Sequence, residues 1–230
     1  MANKIIVRCI LYLGVLMGLV SCSNFNNQDS FAEENLATAK FAAVNDNPAL
    51  PRVLLIGDSI SIGYTVPLRK ILQGKANIHR IPENGRSTRH GLKQITQWLG
   101  KKKWDVIHFN WGLHDISLRT IPADEYEKNL TKLVRKLKAT GAKLIWATTT
   151  PVPQGAAGRI KGDEVAYNAI AQKIMVKNEI FINDLYSFAL PRLLEIQMEQ
   201  NVHFTPDGYV LFAQQVADSI LNVLRSKQKN

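Results

Sequence analysis

Cysteine is nearly absent from this chain of 230 residues, and its two cysteines, Cys9 and Cys22, both lie near the N-terminus. A disulfide framework is therefore excluded for the folded domain that follows. Acidic residues are also few, because 19 Asp and Glu stand against 29 Lys and Arg, giving a formal net charge of +10. The basic residues are spread along the chain, which favours a solvated basic face. An acidic polysaccharide or an anionic membrane surface is the alternative partner, and nucleic acid is not expected.

A membrane-spanning run is also lacking at the N-terminus. The apolar run over residues 10–20 is shorter than the about 20 apolar residues that a stable spanning helix needs. Lys4 and Arg8 precede this run, an arrangement typical of a targeting segment that is later removed. Residues 1–22 are therefore interpreted as a leader.

Residues 19–22, with the sequence LVSC, resemble the bacterial lipobox, in which the cysteine becomes the lipidated first residue of the mature protein. The resemblance implies a lipoprotein signal peptide over residues 1–22 and an acyl anchor at Cys22. It places the protein in the bacterial cell envelope, periplasmic or facing the outer membrane. A plain secretory signal and an uncleaved membrane anchor are the alternatives. Residues 23–50 are rich in Asn, Ser, Asp, Glu and Ala, and they are predicted to be a flexible tether.

One domain is predicted over residues 51–230, where short apolar runs alternate with helical patterns. The runs do not alternate with polar residues, which is typical of parallel strands buried on both faces. The predicted strands are Arg52–Gly57, Asn77–Ile81, Trp104–Asn110, Lys143–Thr148 and Glu179–Asn183. The helical patterns cover residues 61–72, 88–99, 122–139, 163–177 and 206–224. Repeated strand–helix units predict a three-layer α/β/α sandwich with a mainly parallel five-stranded sheet, whose chemistry lies beyond the carboxyl ends of the strands.

A serine follows the first strand directly, within residues 57–60 (GDSI). Ser59 stands where a helix begins, and free backbone N–H groups at that point can stabilise an oxyanion. The segment is not the G-x-S-x-G elbow of α/β-hydrolases, because position 61 is serine. Ser59 is therefore a candidate nucleophile, with a helix N-cap as its alternative role.

Three other segments place candidate residues at the same edge of the sheet. Gly85 follows the second strand and allows a close approach of the backbone to a ligand. Residues 110–115 (NWGLHD) put polar groups at the end of a very apolar strand, which is costly unless those groups bond or face a cleft. His203 precedes the last helix and is expected beside Ser59. No residue spacing supports a metal site.

Together these segments resemble the SGNH (GDSL-like) hydrolase superfamily. Residues 57–60 match its first block, GDS-x, and Gly85 matches the glycine of the second. Residues 112–115 match the third block, G-x-N-D, except that His114 replaces the usual asparagine. His203, followed by Phe-Thr, matches the histidine of the fifth block. The resemblance implies the flavodoxin-like SGNH fold.

The resemblance also implies a serine esterase that needs no cofactor. Ser59 would attack an ester carbonyl, and His203 would take its proton and return it to the leaving alcohol. The N–H groups of Ser59 and Gly85 would hold the oxyanion together with a third-block side chain. That side chain is either His114 or Asn110, because an imidazole can also donate a hydrogen bond.

The fifth block departs from the family pattern at one position. An aspartate normally stands three residues before the histidine, and this chain has Gln200 there. Glutamine cannot stabilise an imidazolium as a carboxylate does. His203 is then oriented by Gln200, by a neighbouring acid such as Glu199, or by a backbone carbonyl. A Ser–His dyad and a triad with a displaced acid both stay open.

The expected function is that of a carbohydrate esterase that removes acetyl or other small acyl groups from polysaccharide. Lysophospholipase or general acyl-ester hydrolase activity is the first alternative. A non-catalytic glycan-binding lipoprotein on the same fold is the second. The expected partners are an acylated small molecule or polysaccharide and a membrane reached through Cys22, whereas the oligomeric state stays open.

Overall fold

The computed structural model describes residues 38–226, so the predicted leader, Cys22 and the lipid anchor lie outside the described residues. The strands are β1 (Arg52–Ile56), β2 (Asn77–Arg80), β3 (Val106–Phe109), β4 (Lys143–Ala147) and β5 (Phe181–Asn183). They form one sheet in the order β2-β1-β3-β4-β5, and each neighbouring pair is parallel. The predicted parallel five-stranded sheet is confirmed.

Five long helices follow the strands within two residues of their predicted ends. They are α1 (Ser59–Ile71), α2 (Thr88–Leu99), α3 (Ala123–Lys138), α4 (Asp163–Lys177) and, last in the chain, α7 (Pro206–Arg225). The short helices α5 (Leu185–Ala189) and α6 (Leu193–Ile196) have too few turns to show a periodic pattern, and the sequence did not indicate them. Within residues 38–226, no helix combines the length and the apolar character needed to cross a bilayer.

Alternate residues of each strand face opposite helical layers. In β1, Val53 and Leu55 belong to the core formed with α1 and α7. Leu54 and Ile56 belong to the core formed with α2, α3 and α4. Because both faces are buried, β1 reads as a continuous apolar run. This arrangement confirms the three-layer α/β/α sandwich.

Helices α1 and α7 touch closely at Gly63. A Cβ atom built on Gly63 would lie 2.1 Å from the ring of Tyr209, so a larger residue would force the two helices apart. This contact holds the start of α7 beside α1. The fold therefore brings the segment that precedes α7, which includes His203, towards Ser59 at the start of α1.

Residues 40–50 contact the domain, although the sequence predicts them as part of a flexible tether. Asp46 Oδ1 lies 2.5 Å from His79 Nε2, on the edge strand β2. Asn47 accepts from and donates to the side chain of Asn77, with both distances 2.9 Å. The compact unit begins at Lys40, earlier than the predicted domain edge at residue 51. The contacts of Asp46 and Asn47 are polar, so the apolar pattern of the sequence does not reveal them.

Candidate active site

The turn after β1 presents Ser59 as the first residue of α1. Asp58 is the N-cap of this helix, because its Oδ1 accepts the N–H of Ile60 at 3.0 Å. Its backbone carbonyl accepts the hydroxyl of Ser61 at 2.8 Å. The N–H of Ser59 has no acceptor within the described part of the chain. Ser59 is thus not the cap, and its hydroxyl and N–H are both available for chemistry.

A buried arginine, Arg80, holds the turn between β1 and α1 in place through hydrogen bonds. Arg80 donates to the Gly57 carbonyl at 3.4 Å and to the hydroxyls of Ser61 and Thr65 at 3.2 and 3.0 Å. It also donates to the Glu83 carbonyl at 3.3 Å, in the loop between β2 and α2. Burial lowers the pKa of Arg80 to about 10, so the guanidinium still carries its charge at neutral pH. One side chain therefore fixes the turn of Ser59 to both α1 and the neighbouring loop.

A tight hairpin places His203 opposite Ser59. Gln197 and Phe204 form an antiparallel bridge, and the N–H of Met198 donates to the His203 carbonyl at 3.0 Å. His203 Nε2 lies 2.8 Å from Ser59 Oγ, although the two residues are 144 positions apart. The structure thus brings the predicted nucleophile and the predicted base into hydrogen-bonding contact.

Asn201 orients the ring of His203. Its Oδ1 accepts the backbone N–H of His203 at 3.1 Å and lies 2.8 Å from His203 Nδ1. A backbone N–H can only donate, so the shared atom of Asn201 must be its oxygen. His203 Nδ1 therefore carries the proton, and Nε2 is left to accept from the hydroxyl of Ser59. This is the tautomer that a general base needs.

The prediction that Gln200 or Glu199 orients His203 is wrong. Both side chains are exposed, and neither hydrogen-bonds to His203 in the described structure. Gln200 has a left-handed φ of 51°, which turns its side chain against Gly155. The family spacing of three residues points to position 200, whereas Asn201 uses the two-residue spacing by which asparagine bonds its own backbone. That shorter spacing is the signal in the sequence that identifies Asn201.

Gly85 differs from its predicted role as an oxyanion donor. Its N–H donates to the Gly57 carbonyl at 2.9 Å, so this group is already bonded. A Cβ on Gly85 would lie 2.8 Å from the same carbonyl oxygen. Glycine is needed here because two backbone segments pack closely, and not because its N–H faces a ligand.

Asn110 and His114, the two third-block candidates for the oxyanion donor, differ in their hydrogen bonds. The Asn110 amide donates to the Ala147 carbonyl at 2.7 Å and lies 3.4 Å from the Thr149 hydroxyl, so both of its N–H bonds point into the fold. His114 is half-buried and has no hydrogen-bond partner among residues 38–226. The structure therefore leaves His114 free to donate, and not Asn110.

The surroundings of His114 favour the neutral form of its ring. Burial is the largest cause of its lowered pKa, and the positive charges of Arg159 and Arg86 act in the same direction. The negative charge of Asp58 opposes them. A neutral imidazole donates one N–H bond, and Ser59 supplies a second donor from its backbone. The arrangement can therefore offer two hydrogen bonds to an oxyanion.

Asp115, which ends the third block, serves the neighbouring helix. Its carboxylate accepts the Thr88 N–H at 3.0 Å and also the Thr88 hydroxyl, at the start of α2. Burial raises the pKa of Asp115 to about 7, and the bonds from Thr88 partly oppose that rise. Asp115 thus anchors the loop after β3 to α2.

Known proteins are similar to this chain in sequence and in fold. The family model described as the GDSL-like lipase/acylhydrolase family matches residues 55–211. An arylesterase from Vibrio mimicus is 28% identical over 108 residues, which cover 42% of this chain and 54% of that protein, so the chain spans about half the length of this relative.

Solved structures agree in fold. The acetylxylan esterase Axe2 from Geobacillus stearothermophilus superposes with a TM-score of 0.64 at 17% identity, over 74% of this chain and 94% of that one. A lipase/acylhydrolase from Enterococcus faecalis gives a TM-score of 0.67 at 19% identity, over 74% and 95% of the two chains.

Proposed function

Because this chain belongs to the GDSL-like lipase/acylhydrolase family, we propose that it hydrolyses esters with Ser59 as nucleophile and His203 as general base. The observation that carries this proposal is the 2.8 Å contact between Ser59 Oγ and His203 Nε2. The bond from His203 Nδ1 to Asn201 supports it, because it sets the tautomer that leaves Nε2 able to accept the proton.

The geometry supports a two-step acyl transfer. Ser59 Oγ bonds to the ester carbonyl carbon while its proton passes to His203 Nε2, and the carbonyl electrons move onto the oxygen. The N–H groups of Ser59 and His114 stabilise that oxyanion. His203 then gives the proton to the leaving alcohol, which departs and leaves an acyl-enzyme. A water molecule repeats the sequence, with His203 taking its proton, and releases the acid.

Asn201 takes the position that a carboxylate residue occupies in a Ser–His–Asp triad, and its side chain is uncharged. Its amide oxygen fixes the ring of His203 and offers a partial negative charge to the imidazolium that forms. It does not offer a full charge, so less of the transition-state charge is balanced than with a carboxylate. We propose a triad of Ser59, His203 and Asn201 in place of one with an acid.

The substrate class we propose is an acetylated or otherwise short-acylated carbohydrate. The acetylxylan esterase from Geobacillus stearothermophilus shares the fold, and the excess of Lys and Arg over Asp and Glu favours an acidic glycan. Lysophospholipids and other acyl esters are the alternative substrates. A purely glycan-binding role is disfavoured, because a binding protein does not need the Ser59–His203 contact.

We also propose that the protein is anchored in the cell envelope through acyl chains on Cys22. The support is the LVSC sequence of residues 19–22 behind an apolar run. The full chain expressed in a bacterium should incorporate labelled fatty acid, and the Cys22→Ser variant should not. Equal labelling of the two proteins would reject the anchor without touching the esterase proposal.

A fluorophosphonate probe tests the esterase proposal, because it labels an activated serine. The wild type should be labelled and the Ser59→Ala variant should not. Rates of acid release from acetyl and long-chain esters of one alcohol then choose the acyl class, with acetate favoured. An unlabelled wild type that releases no acid from any ester would reject the proposal.

A further inference from the structure

Two arginines lie beside the candidate site on separate loops. Arg86 directly follows Gly85, whose N–H is bonded to the Gly57 carbonyl two residues before the nucleophile. Arg159, in the loop between β4 and α4, donates from Nε to the Leu113 carbonyl at 2.9 Å. Leu113 directly precedes the free imidazole at position 114. Arg86 thus lies next to a backbone contact with the turn of Ser59, and the side chain of Arg159 is bonded to the segment that carries His114.

Further contacts hold both loops in position. The N–H of Arg86 donates to the Asn84 side chain at 2.8 Å, and its φ of 49° is left-handed. The loop that carries Arg159 accepts the Leu118 N–H at the Gly158 carbonyl, at 2.6 Å. The two cations are therefore carried by turns that hydrogen bonds hold in position.

The two arginines stand outside the ion pairs of residues 38–226, although the negative charge of Asp58 acts on Arg159. Neither side chain forms an ion pair with a carboxylate of residues 38–226, and Arg86 is exposed. The acid near Arg159 is Asp58, which is only 1% exposed and caps α1. Both guanidinium charges lower the pKa of His114, in the same direction as burial. The two cations therefore act on the place where an ester substrate would lie.

We propose that Arg86 and Arg159 form an anion subsite, and that the substrate is an acyl ester whose alcohol part carries a carboxylate, as in an acylated hexuronic acid. This inference rests on the proposed esterase function. Arginine suits the role because its planar fork of N–H donors matches a carboxylate. Arg159 uses Nε and Nη1 in bonds to backbone carbonyls, and its Nη2 has no acceptor in the described structure. That group can receive the substrate's carboxylate.

A simple brace between loops is the competing role for Arg159, since two of its nitrogens bond carbonyls. A brace would support every substrate equally, whereas a subsite distinguishes charged from neutral ones. The test therefore compares an acetylated hexuronic acid with its carboxamide, which is close in shape but uncharged. Acetate release gives kcat/KM for each compound.

The wild type should favour the carboxylate by about tenfold, because each arginine adds a charge-assisted bond. Arg86→Gln and Arg159→Gln should each lower this ratio, and the double variant should bring it close to one. Arg135→Gln is the matched control: it removes the same charge from the last turn of α3, which runs back towards the amino ends of the strands. Its ratio should stay at the wild-type value.

Binding to the Ser59→Ala variant separates failure of the subsite from failure of the esterase. The deacetylated hexuronic acid should bind the Ser59→Ala variant about tenfold more tightly than its deacetylated carboxamide does. Inorganic phosphate should compete only weakly with the hexuronic acid. Equal binding, or a kcat/KM ratio of one in the wild type, would overturn the subsite while leaving the esterase proposal intact. Phosphate that binds as tightly as the hexuronic acid would show a general anion site and would also overturn it. If the variant binds the acid more tightly than the carboxamide but the wild type hydrolyses neither ester, the esterase proposal alone would be rejected.

Discussion

The Ser59–His203 pair and the loop of residues 110–116 lie at the same edge of the sheet, but they use their polar atoms differently. In the pair, the serine hydroxyl and both ring nitrogens of the histidine take part in hydrogen bonds. In the loop, Asn110 and Asp115 bond inward to the fold, and only His114 has no partner within residues 38–226. The pair is thus prepared before substrate arrives, whereas the loop keeps one donor free for the substrate.

The largest effect should come from breaking the pair. His203→Ala removes the group that takes the proton from Ser59, so kcat on an acetyl ester should fall by about 10⁴-fold or more. The free energy of unfolding should change by only about 1 kcal/mol, because the ring is half-buried and lies at the surface of the site. A kcat within tenfold of wild type would show that another group acts as the base.

The next effect should fall on the free donor of the loop. His114→Ala should lower kcat by about 100- to 1000-fold with little change in KM, because its bond strengthens as the oxyanion forms. Asn110→Ala should mainly lower the free energy of unfolding, by about 1–3 kcal/mol, because the Ala147 carbonyl loses its partner. Steady-state kinetics and urea unfolding of both variants check this. If Asn110→Ala lowered kcat and His114→Ala lowered only stability, Asn110 would be the oxyanion donor in place of His114.

A smaller effect is expected at the residue that orients the base. Asn201→Ala should lower kcat/KM by about ten- to a hundredfold, because the ring of His203 loses its fixed tautomer. Asn201→Asp should move the acid limb of the pH–rate profile to higher pH, since a nearby negative charge favours the protonated imidazole ring. Gln200→Asp and Glu199→Gln serve as controls and should change the profile little. A shift caused by Gln200→Asp alone would reject the role of Asn201.

The smallest effect on activity is expected at Asp115, whose change should appear in stability. Its folded pKa of about 7 lies above the ordinary value of 3.8, so the folded state holds a proton that the unfolded chain releases between these values. This contribution to stability is complete below about pH 4 and is lost as the pH rises to about 7, at about 1.4 kcal/mol per pH unit. Asp115→Asn should remove this slope. Urea unfolding from pH 4 to 7 measures it, and identical slopes would contradict the prediction.

The sequence predicted the fold and the central pair for a physical reason. Strands buried on both faces leave continuous apolar runs, and the rule that sites lie beyond the carboxyl ends of parallel strands brings Ser59 and His203 together. The hydrogen-bond partners were less predictable. The roles of Gly85 and Asn110 depend on which carbonyl lies within 3 Å, and that distance follows from loop packing. Asn201 bonds the ring of His203 directly after Gln200, whose φ of 51° is left-handed, and no sequence pattern predicts that backbone conformation.

The distance along the chain between Ser59 and His203 determines when, during synthesis, both residues of the proposed catalytic pair are present. The ribosome adds about 5–20 residues per second, so the separation of 144 positions delays His203 by roughly 7–30 s after Ser59 is made. The closing helix α7, which rests on Gly63 of α1 through Tyr209, is added later still. A nascent chain therefore carries the proposed nucleophile without the proposed base during this interval. Catalytic competence begins only after the C-terminal end of the domain has been made and has docked.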